Sequence, residues 1–283
     1  LPEKMRLRLT PKITSGNDVL HAEGLSKSFP DKKLFSNVNI DIKRGDKTAI
    51  IGPNGTGKST ILKILLGKTN CDGGEIRLGT NVHIGYYDQE QHNFDESKTI
   101  FQEISDEYPN MTNGEIRSVL AAFVFEGDDV FKTISSLSGG EKGRLSLAKI
   151  MLSKANFLIL DEPTNPLDIN SKEILEDAIN SYDGTVLYVS HDRYFINKTA
   201  TKVLELTPDG MNQYLGNYDY YIEKKTLAKR EQELFGESSL PETNNIKQAS
   251  QTKLNYQAQK EQQAKERKIK NAINKVEREI EET

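Results

Sequence analysis

The eight residues Gly52-Pro-Asn-Gly-Thr-Gly-Lys58-Ser59 constrain this chain more than any other segment. They match the pattern G-x-x-x-x-G-K-[ST] without deviation. That pattern carries chemistry only between a buried strand and a helix, and the flanks read as both. Thr48-Ala-Ile-Ile51 is apolar and β-branched, and Ser59–Leu66 has helical spacing. Glycines let a phosphate approach the backbone, and successive N–H groups then point at it together with the helix N-terminus. Lys58 is expected to reach the β- and γ-phosphates, and Ser59 to bind Mg²⁺.

The wider pattern agrees with a loop of this kind. Short β-type runs (Val38–Ile42, Thr48–Ile51, Phe157–Leu160, Val186–Val189) alternate with helical runs (Ser59–Leu66, Asn113–Phe123, Gly140–Leu152, Ser171–Ser181). Such alternation predicts an α/β domain with a mainly parallel sheet. Phe157-Leu-Ile-Leu160 ends in two carboxylates, Asp161 and Glu162. Asp161 at the strand tip suits Mg²⁺, and Glu162 is placed to polarise an attacking water. Leu137-Ser-Gly-Gly140-Glu141 precedes a helix carrying Arg144 and Lys149, which makes a second anion site. One phosphate loop and a second anion site in one chain suggest that two domains share each nucleotide.

Composition narrows the class. Apolar residues are 35% and charged residues 28% of 283, enough for a core with part of the chain outside it. The single cysteine, Cys71, cannot form an internal disulfide and fits a reducing compartment. No apolar run approaches the roughly 18 residues that span a membrane, and no signal peptide opens the chain. Together these predict a cytoplasmic protein without membrane insertion. The chain begins with Leu1, which suggests an excised piece. The net charge of −4 is unevenly spread. Residues 1–222 carry 25 basic and 31 acidic side chains, whereas 247–275 carry eight basic and two acidic. The basic block is where a polyanion should be sought. Residues 236–246 read as a linker. In 247–283, Ile269, Ile273, Val276 and Ile280 are spaced 4, 3, 4, a coiled-coil seam that needs a partner strand.

Four motifs then stand in a familiar order. Walker A (52–59), LSGG (137–140), Walker B (157–162) and a histidine after a strand, Tyr188-Val-Ser-His191, resemble the ABC ATPase superfamily over residues 19 to about 206. Within it the chain resembles ABC-F, the class without membrane domains, in Leu137-Ser-Gly-Gly-Glu-Lys-Gly-Arg144, Asp161-Glu-Pro-Thr-Asn165, Ser190-His-Asp-Arg-Tyr-Phe195 and Gly216-Asn-Tyr218. Glu141 stands where transporter ATPases more often have Gln.

The resemblance implies an ABC-type P-loop domain, mixed but mainly parallel, with a helical subdomain and a C-terminal helical segment. Its limits would be 1–18 for the end of an inter-domain linker and 19–222 for the ATP-binding domain, with the helical subdomain at about 90–150. A hinge at 223–246 and half a coiled coil at 247–283 would follow. The resemblance also implies a Mg²⁺-dependent ATPase that needs a second ABC domain, either the missing N-terminal half or a second copy. ATP would contact Gly52, Pro53, Asn54, Gly55, Thr56, Gly57, Lys58, Ser59 and Thr60, with Phe29 stacking on adenine. Ser138, Gly139, Gly140 and Glu141 would act in trans. Mg²⁺ would meet Ser59, Gln89 and Asp161. Catalysis would rest on Glu162, His191, Gln89 and Lys58, and Asp168 would lie in the D-loop. ATP is favoured over GTP because Asn197-Lys198-Thr199-Ala200 lacks the Asp of a guanine-reading segment.

One departure is Pro166, where the family usually has His. It fixes φ and removes an N–H in a loop that crosses the dimer interface. As a whole the resemblance implies a ribosome-associated translation factor or ribosome-protection protein whose basic tail meets RNA. The alternatives are the ATP-binding subunit of a membrane transporter and a DNA-associated factor of the same family. His21, His83 and His92 lack metal spacing.

Overall fold

The computed structural model describes residues 11, 13–88, 94–165 and 167–235. The chain divides into two compact units, residues 1–228 and 229–283. Of the second, only the helical residues 229–235 are described. The arm at 1–10, the linker and the coiled-coil seam of the sequence reading lie outside the described residues.

The first half of the domain runs β1 (Asp18–Phe29), β2 (Lys32–Lys43), β3 (Lys47–Ile51), α1 (Lys58–Leu65), β4 (Gly73–Leu78) and β5 (Ile84–Asp88). Three helices follow, α2 (Ile100–Glu107), α3 (Asn113–Ala122) and α4 (Gly139–Leu152). The chain then returns through β6 (Phe157–Asp161), α5 (Ile169–Ser181), β7 (Thr185–Val189), α6 (Arg193–Thr199), β8 (Lys202–Thr207), β9 (Gly210–Tyr214) and α7 (Tyr218–Phe235).

The central sheet has six strands in the order β5-β6-β7-β3-β8-β9. All pairs are parallel except β8–β9. Every residue of β3, β6 and β7 is buried, as expected of parallel strands covered on both faces. Side chains alternate between the faces. Ala49, Ile51, Leu158, Leu160 and Tyr188 pack with the helical layer. Ile50, Phe157, Ile159, Leu187 and Val189 pack against α1 and a second sheet. That second sheet is antiparallel, in the order β2-β1-β4.

The mainly parallel α/β architecture expected from the alternation is the one observed. The three-stranded sheet is an addition to it, because β1 hides its own period. Gly24 sits at φ 64 and the pairing register shifts between Ala22 and Leu25, so inward and outward positions change places mid-strand.

Helix starts are specified locally. Thr99–Gln102, Thr112–Glu115 and Ser138–Glu141 each form a reciprocal capping box at the N-termini of α2, α3 and α4. Asp168 and Asp192 cap α5 and α6 by accepting from the N–H of Ser171 and Phe195.

In register, Asp161 lies opposite Val189, Val189 opposite Ile50, and Ile51 opposite Glu205. The carboxyl ends of β6, β7 and β3 therefore meet at one edge of the sheet. Crevices outside such ends are where open α/β sheets bind ligands.

Candidate functional site

The loop leaving β3 wraps into the N-terminus of α1. Gly52 holds φ 150, and a Cβ there would stand 2.7 Å from the Leu206 carbonyl oxygen. Gly57 holds φ 99 as the cap of α1, and its Cβ would stand 3.0 Å from the Phe35 ring. Both positions hold a positive φ that favours glycine; at Gly52 a backbone oxygen leaves no room for a Cβ, and at Gly57 the Phe35 ring would have to give way. Thr56 Oγ1 donates to the Pro53 carbonyl at 2.9 Å and closes the loop on itself.

Lys58 is buried, and its ammonium donates to the carbonyls of Gly52 at 2.9 Å and Pro53 at 3.0 Å. It lies across the loop's own backbone, where incoming phosphate oxygens would compete with those carbonyls. Burial lowers its pKa against the opposing pull of Glu162 and Asp161. Ser59 Oγ donates to Asp161 Oδ1 at 3.0 Å, which brings the two motifs into direct contact. A hydroxyl and a carboxylate side by side offer hard oxygen ligands, the donor type Mg²⁺ takes. These residues therefore fit that ion.

Glu162 follows at the tip of β6 with φ 47, a strained value for a residue with a side chain. Burial raises its carboxyl pKa. The His191 N–H donates to Glu162 Oε2 at 3.3 Å, and His191 Nε2 lies 3.4 Å from Oε1. Burial, with a contribution from Lys58, lowers the imidazole pKa, so the ring is neutral near pH 7. Together with Thr164, Asn165, Leu167, Lys172 and Asp192, the pair lines an open cleft of about 600 Å³. A half-buried carboxylate beside a neutral imidazole, next to a phosphate loop, can order a water and accept its proton.

The remaining predicted residues are spread around this centre. Phe29 ends β1 and is 49% exposed, and the Lys27 ammonium lies 5.4 Å from its ring centroid. Gly139 and Gly140 open α4, and the Ser138 hydroxyl donates to Glu141 Oε2 at 2.8 Å. The Ser138 N–H and hydroxyl hold the Glu141 carboxyl below its ordinary range. These two side chains bond each other and close the capping box of α4. Asp168 caps α5, and the Ser171 hydroxyl and N–H lower its pKa. Gln89 and Pro166 lie outside the described residues.

Two features escaped the sequence reading. Arg144 reaches from α4 to Ser171 Oγ at 2.6 Å and stacks its guanidinium over Phe125. Thr164 and Ser190 bring buried hydroxyls within 3.3 Å of one another. Their signal in the sequence was only a hydroxyl residue beside each motif.

The fold and this centre define a P-loop nucleotide-binding domain built on a parallel sheet. The family model described as ABC transporter matches residues 35–165. Bacillus subtilis YdiF, whose name ascribes ATP binding to it, is 55% identical over 75% of this chain and 33% of its own length. ABC transporter F family member 5 of Arabidopsis thaliana is 42% identical over 85% of this chain and 35% of its own length. The energy-dependent translational throttle protein EttA of Haemophilus influenzae is 37% identical over 80% of this chain and 42% of its own length. A solved ABC transporter of the metal-chelate type shares the fold, with a TM-score of 0.59 over 75% of this chain and 88% of that one, at 23% identity. The chain belongs to the ABC-F family of ATP-binding proteins. It spans about a third of the length of the first of these relatives. No helix among the described residues is long and apolar enough to cross a membrane.

Proposed function

We propose that this chain is one ATPase domain of a two-domain ABC-F protein that hydrolyses ATP and acts in translation on the ribosome. The observation that carries the hydrolytic reading is the convergence of Lys58, Ser59, Asp161, Glu162 and His191 at one sheet edge. Backbone N–H groups of 52–59 and the Lys58 ammonium would bind the phosphates, with Phe29 against the base. Ser59 and Asp161 would hold Mg²⁺, which when bound neutralises phosphate charge. Glu162 would accept the proton of the attacking water, and His191 would hold that carboxylate in place. Phosphoryl transfer rests on such positioning and charge neutralisation.

The Ser138–Glu141 segment would complete the site of a second domain, which supports a paired arrangement. Turnover per domain is therefore expected to rise with protein concentration until pairs form.

Glu162→Gln tests the reading. Nucleotide affinity should persist while turnover falls by about 10²–10⁴, the usual worth of a general base. Equal turnover in the wild type and the variant, at a concentration where pairing is complete, sinks the assignment. The name of EttA supports the translational part. Co-sedimentation of the Glu162→Gln protein with ribosomes, but not with membranes or DNA, is the expected outcome. Binding to membranes or DNA alone would overturn it.

A further inference from the structure

We infer that the buried hydroxyl pair Thr164–Ser190 is a positioning device that keeps Glu162 and His191 facing each other. This rests on the ATPase reading above and adds two residues to that site. Thr164 lies two residues past Glu162, and Ser190 lies immediately before His191. The two residues are 6% and 1% exposed, so a hydroxyl that loses its partner here is left largely buried. Their oxygens are 3.3 Å apart, and Ser190 Oγ also accepts from the Asp192 N–H at 3.1 Å. One hydroxyl thus fixes the loop that carries His191 and meets the turn that carries Glu162.

Glu162 needs such a fixture because its φ of 47 is a conformation that relaxes unless the surroundings hold it. Its own N–H donates to the Val189 carbonyl at 3.0 Å, which ties the residue to β7 on one side. Its carbonyl accepts from the Asn165 N–H at 3.0 Å, closing a turn around Thr164. The Thr164 hydroxyl ties the far side of that turn to Ser190. Both ends of the strained residue are then attached to the strand and loop that present His191. Without the hydroxyl bridge, the backbone at 162 can relax and carry the carboxylate away from the imidazole.

The test uses isosteric variants of the full chain, at a concentration where turnover per domain has reached its plateau. Thr164→Val removes the hydroxyl at constant shape, and Ser190→Ala removes its partner. Each should lower kcat about tenfold, as expected when a buried hydroxyl is orphaned, while KM and affinity for a fluorescent ATP analogue stay within about twofold. Thr164→Ser should restore most of the loss. The double variant should be no slower than the slower single one, because both remove the same bond. Amide hydrogen exchange at 162–165 should quicken in each variant.

Unchanged kcat in both single variants overturns the inference. So do multiplying losses in the double variant, or nucleotide affinity that falls in step with kcat. If Thr164→Val fails to fold, Ser190→Ala carries the same comparison. Full turnover in Glu162→Gln would defeat the ATPase reading and this inference together. A slow Glu162→Gln beside wild-type behaviour in the hydroxyl variants would defeat this inference alone.

Discussion

Ser59 Oγ donates to Asp161 Oδ1 at 3.0 Å, joining the start of α1 to the end of β6 across 102 residues. The bond holds the carboxylate beside the phosphate loop and sets two hard oxygens in one place. Because side chains held by neighbours lose less freedom on binding, the pair is preorganised for a divalent cation. The expected consequence is Mg²⁺-dependent nucleotide affinity. Titration of a fluorescent ATP analogue should show about tenfold weaker binding after chelation of Mg²⁺, with the effect blunted in Ser59→Ala and in Asp161→Asn. A wild type indifferent to chelation would refute this.

Glu162 links pH to both rate and stability. Burial lifts its carboxyl above the ordinary value of 4.5. A general base must be ionised, so the acid limb of kcat should lie above that value. For stability the sign runs the other way. Between 4.5 and the raised value the folded state binds more protons than the unfolded one, so stability falls as pH rises through that window. Above it, wild type holds a half-buried charge that Glu162→Gln lacks. The variant should therefore melt higher than wild type near pH 7, and the gap should close below pH 4.5. A variant that melts lower than wild type at neutral pH would contradict the burial argument.

The centre was legible in the sequence because its residues sit at strand ends within contiguous motifs. Fixed spacing from an apolar run put Lys58, Ser59, Asp161 and Glu162 at strand ends or a helix start without any knowledge of strand order, whereas His191 came from the family resemblance. What could not be read were relations between distant segments. The Thr164–Ser190 contact depends on β6 and β7 being neighbours, which no local pattern encodes. The Arg144–Ser171 contact depends likewise on how α4 and α5 pack. The φ of Glu162 was hidden for another reason, since a strained backbone leaves no trace in residue type unless glycine fills the place. The antiparallel sheet was missed where Gly24 breaks the alternation of β1.

Lys47, at the opposite end of β3 from the phosphate loop, is a buried cation with a structural use. Its ammonium donates to the carbonyls of Tyr182 at 2.6 Å and Gly184 at 2.7 Å. Burial brings its pKa down to about 8, against the pull of Asp183. Between pH 8 and 10.5 the unfolded state then binds more protons, so the wild type gains stability as pH rises through that window. Lys47→Met leaves two carbonyls without their donor and should cost about 1–3 kcal/mol. Denaturant titrations at pH 7.5 and pH 10, chosen from roughly the lowered and ordinary lysine values, should show the deficit of the variant growing with pH. A constant deficit would mean that the amine keeps an ordinary pKa.

Glu205 joins the sheet to the helix that leaves the domain. It lies in register with Ile51, the residue before Gly52. It accepts from the Tyr221 hydroxyl at 2.9 Å, from the Tyr214 hydroxyl at 3.3 Å and from the Lys225 ammonium. Tyr214 and Tyr218 both pack on the Tyr221 ring, with centroids 5.0 and 5.5 Å away. Helix α7 is otherwise mostly exposed over 222–231, so this cluster and the reciprocal Asn197–Asp219 hydrogen bonds hold its first turns. Glu205→Gln keeps the size of the side chain but loses the charge that holds Lys225, and Glu205→Ala also removes the acceptor of both hydroxyls. Hydrogen exchange over 218–228 should therefore quicken modestly in the first variant and by more than tenfold in the second, which corresponds to about 1.4 kcal/mol or more of local stability. Strand β8 should stay protected in both, since its ladder bonds to β3 are untouched. Equal protection of α7 in wild type and Glu205→Ala would show that the aromatic packing of Tyr221 holds the helix without the carboxylate.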